Sequence, residues 1–285
     1  MSDTAFSGLI SPETLQARLG ESNLVVIDIR SEGNGRAAFE TGHVPGAVHS
    51  DYAVDGWRAN VGNAPGLLPS LSHLAALVGR LGIKPHDDVV IVPAGVNASD
   101  LAAAARVYWT LKTIGHGQQA ILDGGYKAWA DSARPVETGP SSPTPAAPYP
   151  VVMQQNLRST SDATLVASRS KLATLVDARS ASYFEGREKA PEATRAGRIP
   201  GAVSRDYAGA FDAGTGRLRP HGELVTLYGG VPKGPVISYC NTGHTAALNW
   251  FVLSEVLGRD ETALYDGSMT DWTQDPDRPV ATGAA

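Results

Sequence analysis

Of the 285 residues, only Cys240 is a cysteine, and its neighbours suit it to nucleophilic chemistry. The apolar run Pro235-Val-Ile-Ser-Tyr239 reads as a short buried β-strand, Cys240-Asn-Thr-Gly-His-Thr245 as a six-residue turn, and residues 246–257 as an apolar helix. A thiol at a strand-to-helix turn meets backbone N–H groups with no carbonyl partner and the positive end of a helix. Such a place holds an anion, including one bound to sulfur. The competing reading is a packing residue, the commoner fate of a lone free cysteine. A glycine-bearing turn is a poor place for packing, which favours the nucleophile.

The residues after the thiol fit that reading. The N–H groups of Asn241, Thr242, Gly243, His244 and Thr245 are expected to curl around the sulfur, with Gly243 supplying the backbone conformation the curl needs. Thr242 and Thr245 add hydroxyls, and Thr245 also stands where a helix cap belongs. His244 has two readings, as a group that attracts an anionic donor or as a polar rim residue facing solvent. Two rival chemistries lack their parts. A cysteine phosphatase needs an arginine at the far end of the turn, and positions 241–247 contain none. A thiol–disulfide oxidoreductase needs a second cysteine.

Composition bounds the setting. Net charge of −5 and the absence of basic blocks argue against a nucleic-acid partner, and no apolar run is long enough to span a bilayer. Unpaired cysteine and an N-terminus without a basic-then-apolar export pattern fit a reducing cytoplasm. Hydrophobic content of 42% supplies core enough for two domains.

The elements that must position Cys240 occur twice. Val25-Val-Ile-Asp-Ile-Arg30 pairs with Leu175-Val-Asp-Ala-Arg179, and Gly42-His-Val-Pro-Gly-Ala-Val48 with Gly197-Arg-Ile-Pro-Gly-Ala-Val203. Asp51-Tyr52 pairs with Asp206-Tyr207, and Leu122-Asp-Gly-Gly-Tyr-Lys-Ala-Trp129 with Tyr265-Asp-Gly-Ser-Met-Thr-Asp-Trp272, all in the same order. The spacing predicts strands at 25–29, 89–92 and 119–122. Helices are predicted at 12–19 (capped by Ser11), 71–81 (ended by Gly82) and 99–114 (ended by Gly115). Val- and Ile-rich strands alternating with helices predict a parallel sheet covered on both faces, with its ligand site at the strand ends. Pro135, Pro140, Pro143, Pro145, Pro148 and Pro150 mark a stiff, solvent-exposed connection. The chain divides into a domain at 8–136, a linker at 137–158 and a domain at 159–282.

The duplicated Asp-x-Arg strand ends, Gly-x-[Val/Ile]-Pro-Gly-Ala turns and Asp-Gly-(x)4-Trp segments, with Tyr239-Cys240 heading a turn in the second half alone, resemble the rhodanese family in its two-domain sulfurtransferase form. The resemblance spans nearly the whole chain. It implies α/β architecture, as two tandem rhodanese-like domains, each a parallel sheet flanked by helices. The N-terminal copy is implied to be non-catalytic, and Ala94 stands there where the thiol would be, in a loop that aligns about three residues longer. The implied reaction is two-step sulfur transfer through a Cys240 persulfide, from a small-molecule donor to a thiophilic acceptor such as cyanide or a thiol. It requires neither metal nor cofactor, and a protein sulfur acceptor is a further partner the resemblance allows. The non-enzymatic alternative is a persulfide carrier serving a protein partner.

Departures from the family pattern bear on the donor. Asn241 and Thr242 are neutral where thiosulfate-specialised members carry basic side chains, and the turn is not the Gly-[Ser/Ala]-Gly-Val-Thr of mercaptopyruvate-specialised members. Tyr183 precedes Phe184 where the latter carry a carboxylate-binding arginine, and Ala53 and Gly66 stand at their acid–base positions. Thiosulfate is therefore the expected donor and 3-mercaptopyruvate the alternative. Arg187, with Lys189 and Arg195 nearby, is the candidate source of positive charge for substrate. Asp28, Asp177, Asp123 and Asp266 read as loop organisers, Arg30 and Arg179 as their partners, and Trp129 and Trp272 as core. Trp57, beside Arg58, reads equally as lining for a cleft between the domains or as surface packing.

Overall fold

A computed structural model of the chain describes residues 7–31 and 35–284. The first half runs β1 (Ser7–Ile10), α1 (Pro12–Arg18), β2 (Leu24–Asp28), α2 (Gly35–Thr41), β3 (Val48–His49), a hairpin of β4 (Ala59–Val61) and β5 (Ala64–Leu67), α3 (Leu71–Arg80), β6 (Asp88–Val92), α4 (Ala98–Thr113), β7 (Gln119–Leu122) and α5 (Gly125–Asp131). The second half comprises α6 (Ser161–Ser170), β8 (Thr174–Asp177), α7 (Ala181–Phe184), β9 (Val203–Ser204), β10 (Phe211–Asp212), β11 (Arg217–Leu218), α8 (His221–Tyr228), β12 (Val236–Tyr239), α9 (Ala246–Phe251), β13 (Thr262–Leu264) and α10 (Ser268–Trp272).

Two sheets organise these elements. One has the order β1-β7-β6-β2-β3 and the other β13-β12-β8-β9, with every neighbouring pair parallel. Strands β6, β7 and β12 are buried along their whole length, as expected of parallel strands covered on both faces. Ser11 caps α1 by accepting from the Thr14 N–H at 3.2 Å. Helix α4 begins at Ala98, before the expected 99, because Asn97 and Asp100 form a reciprocal capping box that starts it early. The loop before α4 therefore has five residues, 93–97, against the six of 240–245 after β12. The expected longer first-half loop is thus in fact shorter. The helix expected at 246–257 is α-helical only through Phe251; Val252–Val256 is a π-helical turn, closed by Leu257 N–H to Val252 O at 2.9 Å.

The compact units do not follow the contiguous ranges read from the sequence. Unit 1 holds the described residues up to Trp57, with Pro69–Gln154 and Asp212–Leu218; unit 2 holds Arg58–Leu68, Gln155–Phe211 and Arg219 onward. The hairpin β4–β5 folds with the second half's sheet, and the end of the β10–β11 hairpin with the first half's. Each unit has a core around its repeated tryptophan, Trp129 with Phe39, Val90 and Leu122, and Trp272 with Phe184, Tyr239 and Met269. Both indoles are fully buried and donate Nε1–H to a proline carbonyl, Pro135 and Pro279 respectively. Trp57 is also fully buried and donates to Ser50 Oγ at 2.9 Å, so it is a core residue and the surface packing expected as one of its readings does not hold. Among the described residues no helix is long and apolar enough to cross a membrane.

The proline-rich segment is less free than its composition suggests. Ala146 N–H bonds to Gly79 O, Tyr149 N–H to Ala75 O, Val152 N–H to Ile114 O and Gln154 N–H to Thr113 O, all within 2.8–2.9 Å. These bonds lay it along α3 and the end of α4 and bury Tyr149. The Tyr149 hydroxyl meets His116 Nδ1 at 3.0 Å, while His116 Nε2 lies 3.1 Å from Gln118 O. A carbonyl only accepts, so Nε2 carries the proton and Nδ1 of the neutral ring accepts from tyrosine. Burial holds the His116 pKa below its ordinary value, against the opposing pull of Gln118 O, Asp87 and Asp88. A histidine with a depressed folded-state pKa costs nothing above its unfolded value and destabilises the fold as pH falls below that value, near 6.5. His116→Asn is therefore expected to lose less stability than wild type between pH 7.5 and 5, measured as the change in urea midpoint. An equal change in both proteins would contradict the neutral-ring arrangement.

Candidate functional site

Cys240 comes directly after β12, at the carboxyl edge of the unit 2 sheet. Strand β12 is an inner strand, its Tyr239 in register with Asp177 of β8 and its Ser238 with Leu264 of β13. Parallel pairing delivers the residues just beyond these three strands to one edge: Arg179, Cys240 and the turn Tyr265–Ser268. The thiol is buried, at 1% exposure, while Asn241, Thr242, His244 and Thr245 are partly accessible.

The side chain at the centre of this arrangement is Ser268. Its Oγ accepts from Cys240 N–H at 2.9 Å and from Gly243 N–H at 3.1 Å. Its own proton goes to Tyr265 O at 2.8 Å, with Cys240 Sγ at 3.9 Å as the alternative acceptor. One hydroxyl thus folds the turn back on itself. Ser268 adopts φ +51°, and Gly243 φ +69°, in the left-handed region expected for it. The strain at serine costs about 1–2 kcal/mol. Loss of a buried acceptor costs about 1–3 kcal/mol, so the two bonds that Ser268 Oγ accepts offset the strain. Behind the turn, Met269 N–H bonds to Cys240 O at 3.1 Å and Thr270 N–H to Asn241 O at 3.0 Å.

Arg179 flanks the other side. Its guanidinium, 4% exposed, forks onto Asp177, with Nε to Oδ1 at 2.8 Å and Nη2 to Oδ2 at 2.5 Å; it also reaches Gly197 O and, through Nη1, Asn241 Oδ1 at 3.3 Å. Burial opposes its charge, yet Asp177 first, then Tyr239 and Cys240, hold its pKa above the ordinary value. Tyr207, which binds Ala178 O through its N–H at 3.1 Å, completes the edge. Burial first, then the charges of Asp206 and Cys240, push its phenol above the usual range.

Several expectations change here. Thr245 stands at the N-cap of α9 with helical dihedrals (φ −70°, ψ −27°) and makes no side-chain cap bond, so the expected capping role falls away. The Gly243 N–H, expected to face the sulfur, donates to Ser268. Arg187 is 58% exposed and ion-paired with Glu185. Lys189 binds Ala193 O and Arg195 binds Asp275 O, so both serve loop structure. Arg179 was expected only to pair with Asp177, and its reach to Asn241 was unforeseen. Ser268 was missed altogether, although the repeat held its signal: it replaces Gly125, the position where a Cβ would lie 2.8 Å from Gly95 N.

A family model for the rhodanese-like domain matches residues 11–132 and again 161–275. A thiosulfate sulfurtransferase of Pseudomonas aeruginosa is 31% identical over 276 residues, covering 95% of this chain and 96% of its own. A "probable 3-mercaptopyruvate sulfurtransferase" of the same organism is 31% identical over 296 residues, covering 96% and 98%. Among solved structures, the 3-mercaptopyruvate sulfotransferase SseA of Escherichia coli superposes with a TM-score of 0.78 at 24% identity, over 93% of this chain and 99% of its own. The chain belongs to the rhodanese family, in its two-domain sulfurtransferase form.

Ser268 gives this site a sharp stability test. Ser268→Ala keeps the left-handed backbone strain and removes the acceptor of the Cys240 and Gly243 N–H groups, so it is expected to destabilise by about 1–3 kcal/mol. Ser268→Gly relieves the strain and is expected to be milder by about 1 kcal/mol. Urea unfolding that ranks glycine as the worse substitution would contradict the geometry.

Proposed function

We propose that this protein transfers a sulfane sulfur from thiosulfate to a thiophilic acceptor through a persulfide on Cys240. The observation that carries the reading is the placement of the chain's one thiol in a folded-back turn at the carboxyl edge of a parallel sheet, beside a buried guanidinium. The Cys240 thiolate attacks the outer sulfur of thiosulfate. The new S–S bond forms as the bond to the sulfonate sulfur breaks, and sulfite departs with the electron pair. An acceptor such as cyanide then attacks the outer persulfide sulfur, and the thiolate leaves with its pair restored. Both steps conserve charge without an oxidant or a bound cofactor, so Cys240 alone suffices. Asn241 is held by Arg179, and His244 and Thr242 line the accessible rim. A thiol that must stay reduced between turnovers suits a reducing cytoplasm.

The choice of thiosulfate rests on residues, since the relatives carry both donor names. Mercaptopyruvate needs its carboxylate bound and its leaving enolate protonated; Tyr183, Ala53 and Gly66 stand where the groups for that work would be. Sulfite needs no proton on leaving. The neutral Asn241 weakens anion binding, so the KM for thiosulfate is expected to be high.

Cys240→Ser is expected to abolish transfer while the protein stays folded. Intact mass after incubation with thiosulfate should rise by about 32 Da in wild type and not in the variant, a sulfur added at the thiolate. Turnover surviving in the serine variant would refute the assignment. In a separate comparison, Asn241→Arg is expected to lower KM for thiosulfate. A wild-type kcat/KM for mercaptopyruvate at least about tenfold above that for thiosulfate would reverse the donor choice.

A further inference from the structure

The hairpin β4–β5 is first-half sequence that folds into unit 2, and residues at its end touch the Cys240 turn at one point and the stretch that carries Ser268 at another. Gly66 has φ +89°, and a Cβ built there would overlap the Thr242 carbonyl oxygen and stand 2.9 Å from the Thr242 Cβ. The hairpin backbone is therefore pressed against the second residue after the thiol. Two residues later, the Leu68 N–H donates to Asp266 Oδ2 at 2.6 Å. Asp266 is 1% exposed, and its Oδ1 accepts from Arg158 Nε at 2.9 Å. It opens the short stretch that carries Ser268, whose hydroxyl holds the N–H groups of Cys240 and Gly243.

Taking Cys240 as the sulfur carrier, we propose that residues 66–68 are a positioning clamp for the Cys240 turn. Gly66 fixes where Thr242 can stand, and the Leu68–Asp266 bond fixes where Ser268, and through it the Cys240 backbone, can stand. Gly66 has no side chain to offer a substrate, so the clamp acts through position and its loss falls on kcat more than on KM.

The repeat supplies an internal comparison. In unit 1, Gly216 and Leu218 of the other hairpin take the equivalent places: a Cβ at Gly216 would lie 2.6 Å from Gly95 O, and Leu218 N–H donates to Asp123 Oδ1 at 3.3 Å. The grip is thus a property of the duplicated fold. There it ends at Gly125, which has no hydroxyl to pass the constraint on, and the turn it touches has Ala94 for the cysteine. In unit 2 the series runs unbroken from hairpin to aspartate to serine to the cysteine backbone.

Three variants separate positioning from mere packing: Gly66→Ala, Asp266→Ala and, as control, Asp123→Ala. Steady-state kinetics with thiosulfate would be paired with the rate of Cys240 alkylation by iodoacetamide across pH. Gly66→Ala and Asp266→Ala are expected to lower kcat at least about tenfold with KM within about threefold, since displacements near 1 Å at a reacting group cost that much or more. Both should shift the alkylation profile. Asp123→Ala is expected to leave kcat and alkylation within about twofold of wild type while still losing thermal stability, because it removes the acceptor of the Leu218 N–H. A Gly66→Ala protein with wild-type kcat and alkylation would overturn the clamp, as would all three variants losing activity in step with their stability. Alkylation reads the turn directly, so it decides the clamp even if Cys240→Ser retained turnover, a result that would count against the catalytic reading alone.

Discussion

The site depends on β12 being paired in parallel on both of its sides. That pairing buries the strand completely, leaves it only apolar or internally bonded side chains, and ends it level with β8 and β13. Ser238 satisfies its hydroxyl on Ala246 O at 2.9 Å, and the Tyr239 hydroxyl accepts from Ile199 N–H at 3.2 Å. The segments leaving the three strands have no choice but to meet: the Asp177–Arg179 pair from β8, the thiol from β12 and the Asp266–Ser268 turn from β13. A buried ion pair is costly to break, by about 3–5 kcal/mol, which makes Asp177–Arg179 a fixed wall for Asn241 to lean on.

Duplication shows which of these features belong to the fold and which to the chemistry. Both halves keep the Asp-x-Arg pair, with Arg30 bridging Asp28 at 2.7 Å as Arg179 bridges Asp177, and both keep the buried tryptophan and the aspartate that grips a hairpin N–H. They part company at two positions in contact with one another. Where unit 2 has Cys240 and Ser268, unit 1 has Ala94 and Gly125. The first-half helix then starts on an asparagine capping box, an efficient way to begin a helix that leaves a short turn. The second-half turn forgoes a side-chain cap at Thr245 and is folded by Ser268 instead.

Periodicity and repetition made most of this legible in advance. Strands at β2, β6, β7 and β12 are readable from runs of Val and Ile, and helices α1, α3 and α4 from their caps and spacing. Cys240 stood out because strand, turn and helix could be read around it. The features that stayed hidden depend on distance in space. Ser268 lies 28 residues from the cysteine and adopts a backbone conformation that sequence assigns to glycine. The exchange of hairpins between the halves leaves no periodic trace, since short β-ladders pair wherever topology permits. The linker's prolines signalled stiffness correctly, but the carbonyls of α3 and α4 that bind it could not be inferred from its composition. The ion pair of Arg187 with Glu185, two residues before it, is likewise a contact that composition does not show.

The central claim is that Cys240 carries sulfur within the turn folded by Ser268. Its most direct test is a crystal structure of the protein exposed to thiosulfate without acceptor. Electron density for one additional sulfur bonded to Cys240 Sγ and seated inside residues 240–245, with the Ser268 contacts to Cys240 N–H and Gly243 N–H retained, is the expected result. An unmodified Cys240 after that exposure, in crystals that form thiocyanate once cyanide is added, would contradict it.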